Sequence, residues 1–275
     1  MSVLAKILTI LGTEMEAPVS YGPFHIFFCL LAVVCGVILC RKLSPTERNV
    51  RRLLLITSVA CLLLEVYKQI VFTFTVEDGK IVAEYIWHAF PWQFCSTPMY
   101  VGLLAALVKN RRLHHILCAY LGSFALFAGV AVMAYPATVF TETIGVNLQT
   151  MFWHGSMVTI GIYLLHSGYV SSTPGTLRRA FPVFAAAAGI ACVLNEVVYH
   201  FDLADGDLFN MFYFSPHYDS LLPLYTDLHD VLPFGLSLAV YMLGFTAAAG
   251  IVLFLFHLLE KIYLRLRRRE TTKAY

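Results

Sequence analysis

Residues 53–74 read LLLITSVACLLLEVYKQIVFTF. As an α-helix this stretch would run about 33 Å, enough to cross a hydrocarbon layer of about 30 Å. Its first charged residue is Glu65, in the outer half of the run, and Glu65, Lys68 and Gln69 stand at i, i+3 and i+4, on one helical face. A bilayer-length apolar run that carries a few costly polar groups on one face is the pattern that decides the fold.

Six other stretches have the same length and character: Phe24–Cys40, Trp92–Val108, Leu113–Ala134, Met151–Tyr169, Ala180–His200 and Val231–Leu258. Of the 275 residues 59% are hydrophobic and 13% charged, and mean hydropathy is +0.73. A soluble domain would carry roughly a quarter charged residues. A transmembrane β-barrel is excluded, because the apolar runs are continuous and do not alternate. Helices satisfy their own backbone in lipid. The sequence therefore predicts an all-α, polytopic bundle of about seven transmembrane helices, a single domain over residues 1–275.

The basic residues give the orientation. Arg41, Lys42, Arg48, Arg51 and Arg52 follow the first run, and Lys109, Arg111 and Arg112 lie between the third and fourth. Arg178 and Arg179 lie between the fifth and sixth, and Lys261, Arg265, Arg267, Arg268, Arg269 and Lys273 follow the seventh. Together these are 16 of the 19 lysines and arginines, all on one side of a seven-span arrangement. The positive-inside rule then puts the N-terminus outside and the C-terminus in the cytoplasm. Residues 1–23 form an outer segment, with 1–12 expected as a short interfacial helix and not as a signal peptide. Residues 259–275 form a basic cytoplasmic tail. Residues 201–230 form a long outer loop, which carries Asp202, Asp205, Asp207, Asp219, Asp227 and Asp230. Its aromatic stretch DLFNMFYFSPHYDS is expected to lie on or dip into the outer membrane surface.

Ionisable groups inside spans mark functional sites by default. Glu65, Lys68 and Gln69 lie just beyond the midplane. Gln93, Cys95, Ser96 and Thr97 are expected in the first outer turn of the third helix, with Pro98 at a position suited to a helix start. His154 is expected in the first outer turn of the fifth, and Asn195, Glu196, Tyr199 and His200 near the outer end of the sixth. Four helices thus present polar groups to one outer layer, which favours a site at the outer leaflet over a pore. Each has a plainer reading as well. Glu65 and Lys68 suit a neutralising pair that holds the bundle, Asn195 and His200 suit interhelical hydrogen bonds, Cys95 suits an inert small residue, and His154 an interface histidine. The seven cysteines (Cys29, Cys35, Cys40, Cys61, Cys95, Cys118 and Cys192) form no CxxC pair, so no metal site and no cofactor are expected.

A thiol near an imidazole is the pattern of nucleophilic catalysis. Cys95 and His154 are the catalytic candidates, with Glu196 or Asn195 to orient the ring and Lys68, Gln69 or Gln93 to stabilise an oxyanion. At that depth the natural substrate is an acyl ester of a membrane lipid. A transporter using Glu65, Lys68, Glu196 and His200 as a relay is the competing class, and a seven-helix receptor or structural protein is the third.

The elements LEVYKQ (64–69), PWQFCSTPMY (91–100), FWHGSMVTIGIYLL (152–165) and FNMFY (209–213) resemble the YwaF family of bacterial integral membrane proteins and, more distantly, the animal transmembrane protein 164 family. The resemblance runs from the second span to the last. It implies a cysteine-dependent lipid acyltransferase, with Cys95 as the acyl-accepting cysteine and His154 as the catalytic histidine. It matches Glu65 and Lys68 to an acidic and a basic residue of the second span, and Asn210 to an asparagine in the loop before the last helix. A related branch, the androgen-induced lipid hydrolases, implies the alternative of lipid-ester hydrolysis. Gln93-Phe94-Cys95-Ser96 departs from the animal Asn-Pro-Cys-His setting, so the animal substrate is not carried over. The expected partner is a membrane phospholipid or lysolipid, with no nucleic acid, and the expected location is the plasma membrane of a bacterium.

Overall fold

The computed structural model describes residues 1–136, 139–222, 225–229 and 231–273, with side chains up to residue 266. Asp230, counted above among the outer acids, and the side chains of Arg267, Arg268, Arg269 and Lys273 lie outside the described residues. The architecture is all-helical apart from one short hairpin.

Helix α1 (Val3–Leu11) is capped by Ser2, whose hydroxyl accepts from the Ala5 N–H at 3.1 Å. It occupies the segment expected as a short helix. Helix α2 (Pro23–Lys42) opens on Pro23 and turns Leu30, Val33, Val34, Val37 and Ile38 outward. Helix α3 (Glu47–Thr73) starts at Thr46, whose hydroxyl caps Asn49 N–H at 3.3 Å. The opening stretch is therefore one helix, extended backward by its own cap.

Strands β1 (Phe74–Glu77) and β2 (Lys80–Ala83) follow, paired antiparallel from Phe74↔Ala83 to Glu77↔Lys80. Asp78 and Gly79 both have positive φ, the geometry of a two-residue hairpin turn. The Asp-Gly pair was the sequence signal for it.

Helix α4 (Thr97–Leu107) is only 11 residues long. The expected third span, Trp92–Val108, is helical only in this part; residues 91–96 are turns. Arg51 closes the far end, its Nη1 donating to the carbonyls of Ala105 (3.0 Å), Ala106 (3.1 Å) and Val108 (2.7 Å). Gly102 sits against Ser58 Oγ, so close that a Cβ there would clash.

Helices α5 (Arg111–Tyr120) and α6 (Leu126–Ala134) are one continuous rod joined by a π-helical turn at Leu121–Ala125. Helix α7 (Ile144–His166) runs through the middle of the bundle and packs on α2, α3 and α6. Small residues allow the approach. A Cβ on Gly36 would lie 3.1 Å from Ile162, one on Gly155 would lie 3.4 Å from Ala32, and ones on Gly129 and Gly161 would meet Met157 and Leu126 within 2.8 Å. Helix α8 (Pro174–His200), helix α9 (Tyr225–His229) and helix α10 (Phe234–Lys273) complete the chain. The expected basic tail is thus a continuation of the last helix as far as Lys273.

Among the described residues, five helical stretches are long and apolar enough to cross a membrane: Pro23–Lys42, Glu47–Thr73, Arg111–Ala134, Pro174–His200 and Phe234–Leu266. The chain is a multi-pass membrane protein. Two of the seven expected spans do not qualify by this measure. One is α4, shortened as described. The other is α7, long enough but dotted with Asn147, Gln149, Thr150 and His154, all buried by neighbouring helices.

The loop expected to lie on the membrane surface instead enters the bundle. Phe209, Met211, Phe212 and Phe214 are at most 1% exposed and join the main hydrophobic core. Phe212 packs edge-on against Phe94 with ring centroids 5.8 Å apart.

Candidate active site

The second helix contributes a buried ion pair. Lys68 Nζ lies 2.8 Å from Glu65 Oε1, with the Glu65 side chain 6% and the Lys68 side chain 16% exposed. Gln69 Nε2 donates to the same Glu65 oxygen at 2.7 Å and to the Ala89 carbonyl at 2.8 Å, while Tyr85 donates to Gln69 Oε1 at 2.9 Å. Both amide N–H bonds of Gln69 are therefore committed, and it has none to offer an oxyanion. Glu65 Oε2 is buried with no hydrogen-bond partner.

Cys95 stands in the turn that leads into α4. The expected placement in the first helical turn is corrected: the turn Gln93–Ser96 is closed by Ser96 N–H to Gln93 O at 2.8 Å, and the helix begins at Thr97. Pro91 ahead of this turn cannot donate to a helix, and Pro98 fits the helix start. The turn is pinned to α7 by Trp153, whose indole N–H donates to the Cys95 carbonyl at 2.7 Å.

His154 follows Trp153 directly. It lies in the third turn of α7, not the first, because the helix begins at Ile144. Asn147, Gln149 and Thr150 make this start too polar to read as a lipid-facing span, yet neighbouring protein buries all three. His154 Nδ1 is 2.8 Å from the Thr150 carbonyl oxygen. A carbonyl only accepts, so Nδ1 carries the proton and Nε2 presents its lone pair. That Nε2 is buried and has no hydrogen-bond partner. Among the described residues Tyr241 Oη on α10 is likewise buried without a partner, and its ring meets Phe214 edge-on at 5.0 Å.

Glu65 and Lys68 are paired on α3, and the Cys95 turn is joined to α7 at Trp153, the residue before His154. No hydrogen bond joins Cys95 Sγ to His154 among the described residues.

The amide residues do a different job. Gln93 Nε2 donates to Asn210 O at 3.0 Å and its Oε1 accepts from Phe212 N–H at 2.8 Å. Asn195 brackets Met211 in the same way, donating to its carbonyl at 3.0 Å and accepting from its N–H at 2.8 Å. Asn210 donates to Asp219 O at 3.2 Å and accepts from Ser215 N–H at 2.9 Å. Three side-chain amides therefore replace the strand or helix partners that the plug at 209–215 lacks. They hold Phe212 (φ 61°) and Tyr213 (φ 57°) in the left-handed region, a conformation that costs roughly 1–2 kcal/mol per residue. Burial pushes the Tyr213 phenol up to about 12, and the nearby Cys95 thiol adds to that. The plug packs on the turn that bears Cys95, through Gln93 and the Phe94–Phe212 ring contact.

Residues 20–258 match the family model described as the TMEM164 family. The chain belongs to the TMEM164 family. No curated protein and no solved structure gave a match. The part of the chain covered by the TMEM164 match runs from the residues before α2 into α10, and holds every residue of the group just described.

Glu196 and His200 do not join that group. Glu196 Oε2 pairs with His200 Nε2 at 3.2 Å and Oε1 with His217 Nε2 at 3.1 Å, at the end of α8. The single polar pocket expected from depth counting is thus two clusters, since Asn195 faces the plug while the next residue, Glu196, points to the surface. Sequence reasoning missed Thr150, Trp153, Tyr85 and His217. Thr150 was detectable as the i−4 neighbour of His154. The others meet their partners only through the tertiary fold.

Proposed function

We propose that this chain is a membrane lipid acyltransferase that works through an acyl-enzyme on Cys95, with His154 as general base. The observation that carries the reading is the His154 ring, a buried imidazole with its tautomer fixed and its basic nitrogen left without a partner, beside the turn that bears the thiol.

In the first step the Cys95 thiol proton passes to His154 Nε2 as Sγ attacks the carbonyl of a phospholipid acyl ester. The ester C–O bond breaks, His154 returns the proton to the departing lysolipid oxygen, and a thioester remains. In the second step the hydroxyl of an acceptor lysolipid gives its proton to His154 and attacks the thioester. The C–S bond breaks and the thiolate recovers the proton. Lys68 supplies positive charge to the thiolate and to the oxyanion of each step. Water in place of the acceptor lipid would give hydrolysis on the same residues. Hydrogen bonds of this kind often form only in the substrate complex, which suits a thiol and an imidazole not yet bonded.

An acyl chain has a seat next to this centre. A largely apolar groove of about 380 Å³ runs between α2, α3 and α7, lined by Phe28, Leu31, Cys35, Phe152, Gly155 and Ser156, the last two directly after His154. The reading takes the chain as crossing a bacterial plasma membrane about seven times, with α4 and its preceding turn as the third crossing and α7 as the fifth. The N-terminus is then outside, which the grouping of 16 of the 19 basic residues supports, and the site serves the outer leaflet.

The test uses purified chain in vesicles with a phospholipid donor and a lysophospholipid acceptor. Acyl transfer and acyl labelling of the protein are expected in the native chain and absent in Cys95→Ala and His154→Ala. If both variants, shown to be folded, retain full transfer, the reading fails. One observation favours a second reading. Glu65 Oε2 is buried and unpartnered beside Lys68, as a proton-coupled transporter would need. Flux into vesicles that Glu65→Gln abolishes and Cys95→Ala leaves intact would select it.

A further inference from the structure

The cluster at the end of α8 has no part in the acyl-transfer scheme. Glu196 and His200 are one turn apart on the helix, and His217 is delivered to them by the loop, five residues beyond Phe212. The three potential ligand atoms, one carboxylate oxygen and two imidazole nitrogens, all lie within 4.8 Å of one another.

We propose that Glu196, His200 and His217 bind a divalent transition metal of the zinc type, and that the metal ties the plug-bearing loop to the end of α8. Zinc holds nitrogen and oxygen ligands at about 2.0–2.2 Å, so two ligands of a tetrahedral site lie about 3.3 Å apart. His217 lies 3.1 Å from Glu196 Oε1 and His200 3.2 Å from Oε2, so each imidazole is near that spacing from its own carboxylate oxygen and a zinc ion would draw both toward the carboxylate. The remaining pair closes by rotation of His200, whose side chain is 64% exposed and free to turn. Two imidazoles and one carboxylate suit zinc, whereas calcium and magnesium prefer an all-oxygen shell. A water would complete the fourth position.

The ring of His217 is held for this role. Tyr199 stacks on it with centroids 3.5 Å apart and planes 3° from parallel, and the same tyrosine meets His200 edge-on at 5.5 Å. The stack fixes the His217 ring, as outer-shell partners of metal ligands do, and leaves His200 able to rotate. The loop is then fastened at two places. Asn195 grips it at Met211 from inside the bundle, and one residue further along α8 the metal grips it at His217 from the surface.

The experiment is equilibrium binding of zinc to the full-length, chelator-washed chain in detergent at pH 7.5, with calcium and magnesium as controls, together with limited proteolysis of the 201–222 loop. One zinc per chain is expected, with neither control ion competing. Affinity should fall at least 10-fold in His217→Ala and in Glu196→Gln, and His217→Cys, which keeps a ligand, should restore part of it. Zinc should slow cleavage of the loop in the native chain and not in His217→Ala. Because other histidines are exposed, zinc binding that is unchanged in the Glu196→Gln/His217→Ala double variant overturns the proposal, as does an absence of stoichiometric zinc. Thermal unfolding without metal checks that the variants are folded. None of these readouts depends on acyl transfer, so the proposal and the catalytic reading can fail separately.

Discussion

Two polar clusters sit about a bundle's width apart in character. Around Glu65 and Lys68 the side chains are buried, and two atoms in the neighbourhood, Glu65 Oε2 and His154 Nε2, lack partners. At the end of α8, Glu196 is 41% exposed, yet both of its oxygens are engaged by histidines. Ordinary folding would arrange the reverse, because an unpaired polar atom is cheap in water and costs about 1–3 kcal/mol when buried. On the proposed reading, His154 Nε2 is the interior atom left open for the thiol proton. The surface cluster is already closed on itself, and a metal would replace its internal contacts one for one.

The largest expected effect tests the buried side. His154→Ala removes the base and is expected to lower acyl transfer by about 10²–10⁴-fold, and Cys95→Ala to remove it, both read as initial rates in vesicles. Next is Glu65→Ala, which leaves Lys68 buried without its counter-charge. A loss of about 3–5 kcal/mol is expected from unfolding in detergent, with much of it recovered in Glu65→Leu/Lys68→Met. A small loss in the single variant would mean that water reaches the pair and that the contrast between the clusters is weaker than the geometry indicates. Asn195→Ala strands the N–H and C=O of Met211 in the core. It should cost about 2 kcal/mol or more and speed proteolysis within 201–222. The smallest effect belongs to the surface. Glu196→Gln in metal-free protein should change unfolding by no more than about 1 kcal/mol, and a larger loss would show that the cluster holds the fold without any ion.

The spans were readable wherever a helix faces lipid, as in α2, α3, α8 and α10, because hydropathy reports contact with hydrocarbon. Burial alone did not hide a span, since Arg111–Ala134 is mostly buried and still apolar; the rule failed at α7, where the buried residues are polar. Thr143–Gln149 look like loop because Asn147, Gln149 and their neighbours are polar, but they begin a buried helix and shift His154 two turns inward. The third span was expected to be helical from Trp92, but the helix begins at Thr97, and the irregular part ahead of it is where Cys95 sits. The candidate residues could be named from the sequence as costly polar groups in apolar runs. What they touch was hidden, since Gln93, Asn195 and Asn210 bond to the backbone of a loop 16 to 119 residues away or, for Asn210, within it. Backbone has no letter in the sequence. The neighbouring pair Asn195 and Glu196 illustrates the limit. Their spacing to Tyr199 and His200 put all four near one helix end, and a rotation of one residue sends the first to the core and the second to the surface.

Arg51 deserves a different description from the one that charge counting gives it. In the proposed orientation it is one of 16 grouped cations that would direct insertion. In the folded chain its guanidinium holds three carbonyls at the end of α4 and pairs with Glu47 at 2.9 Å. The same charge is therefore read twice, first as an address and later as a fastener. Editing it to invert the chain in the bilayer would also undo the joint between the helix that carries Lys68 and the short helix that follows Cys95. Topology and tertiary structure share a residue here, and neither can be redesigned without consulting the other.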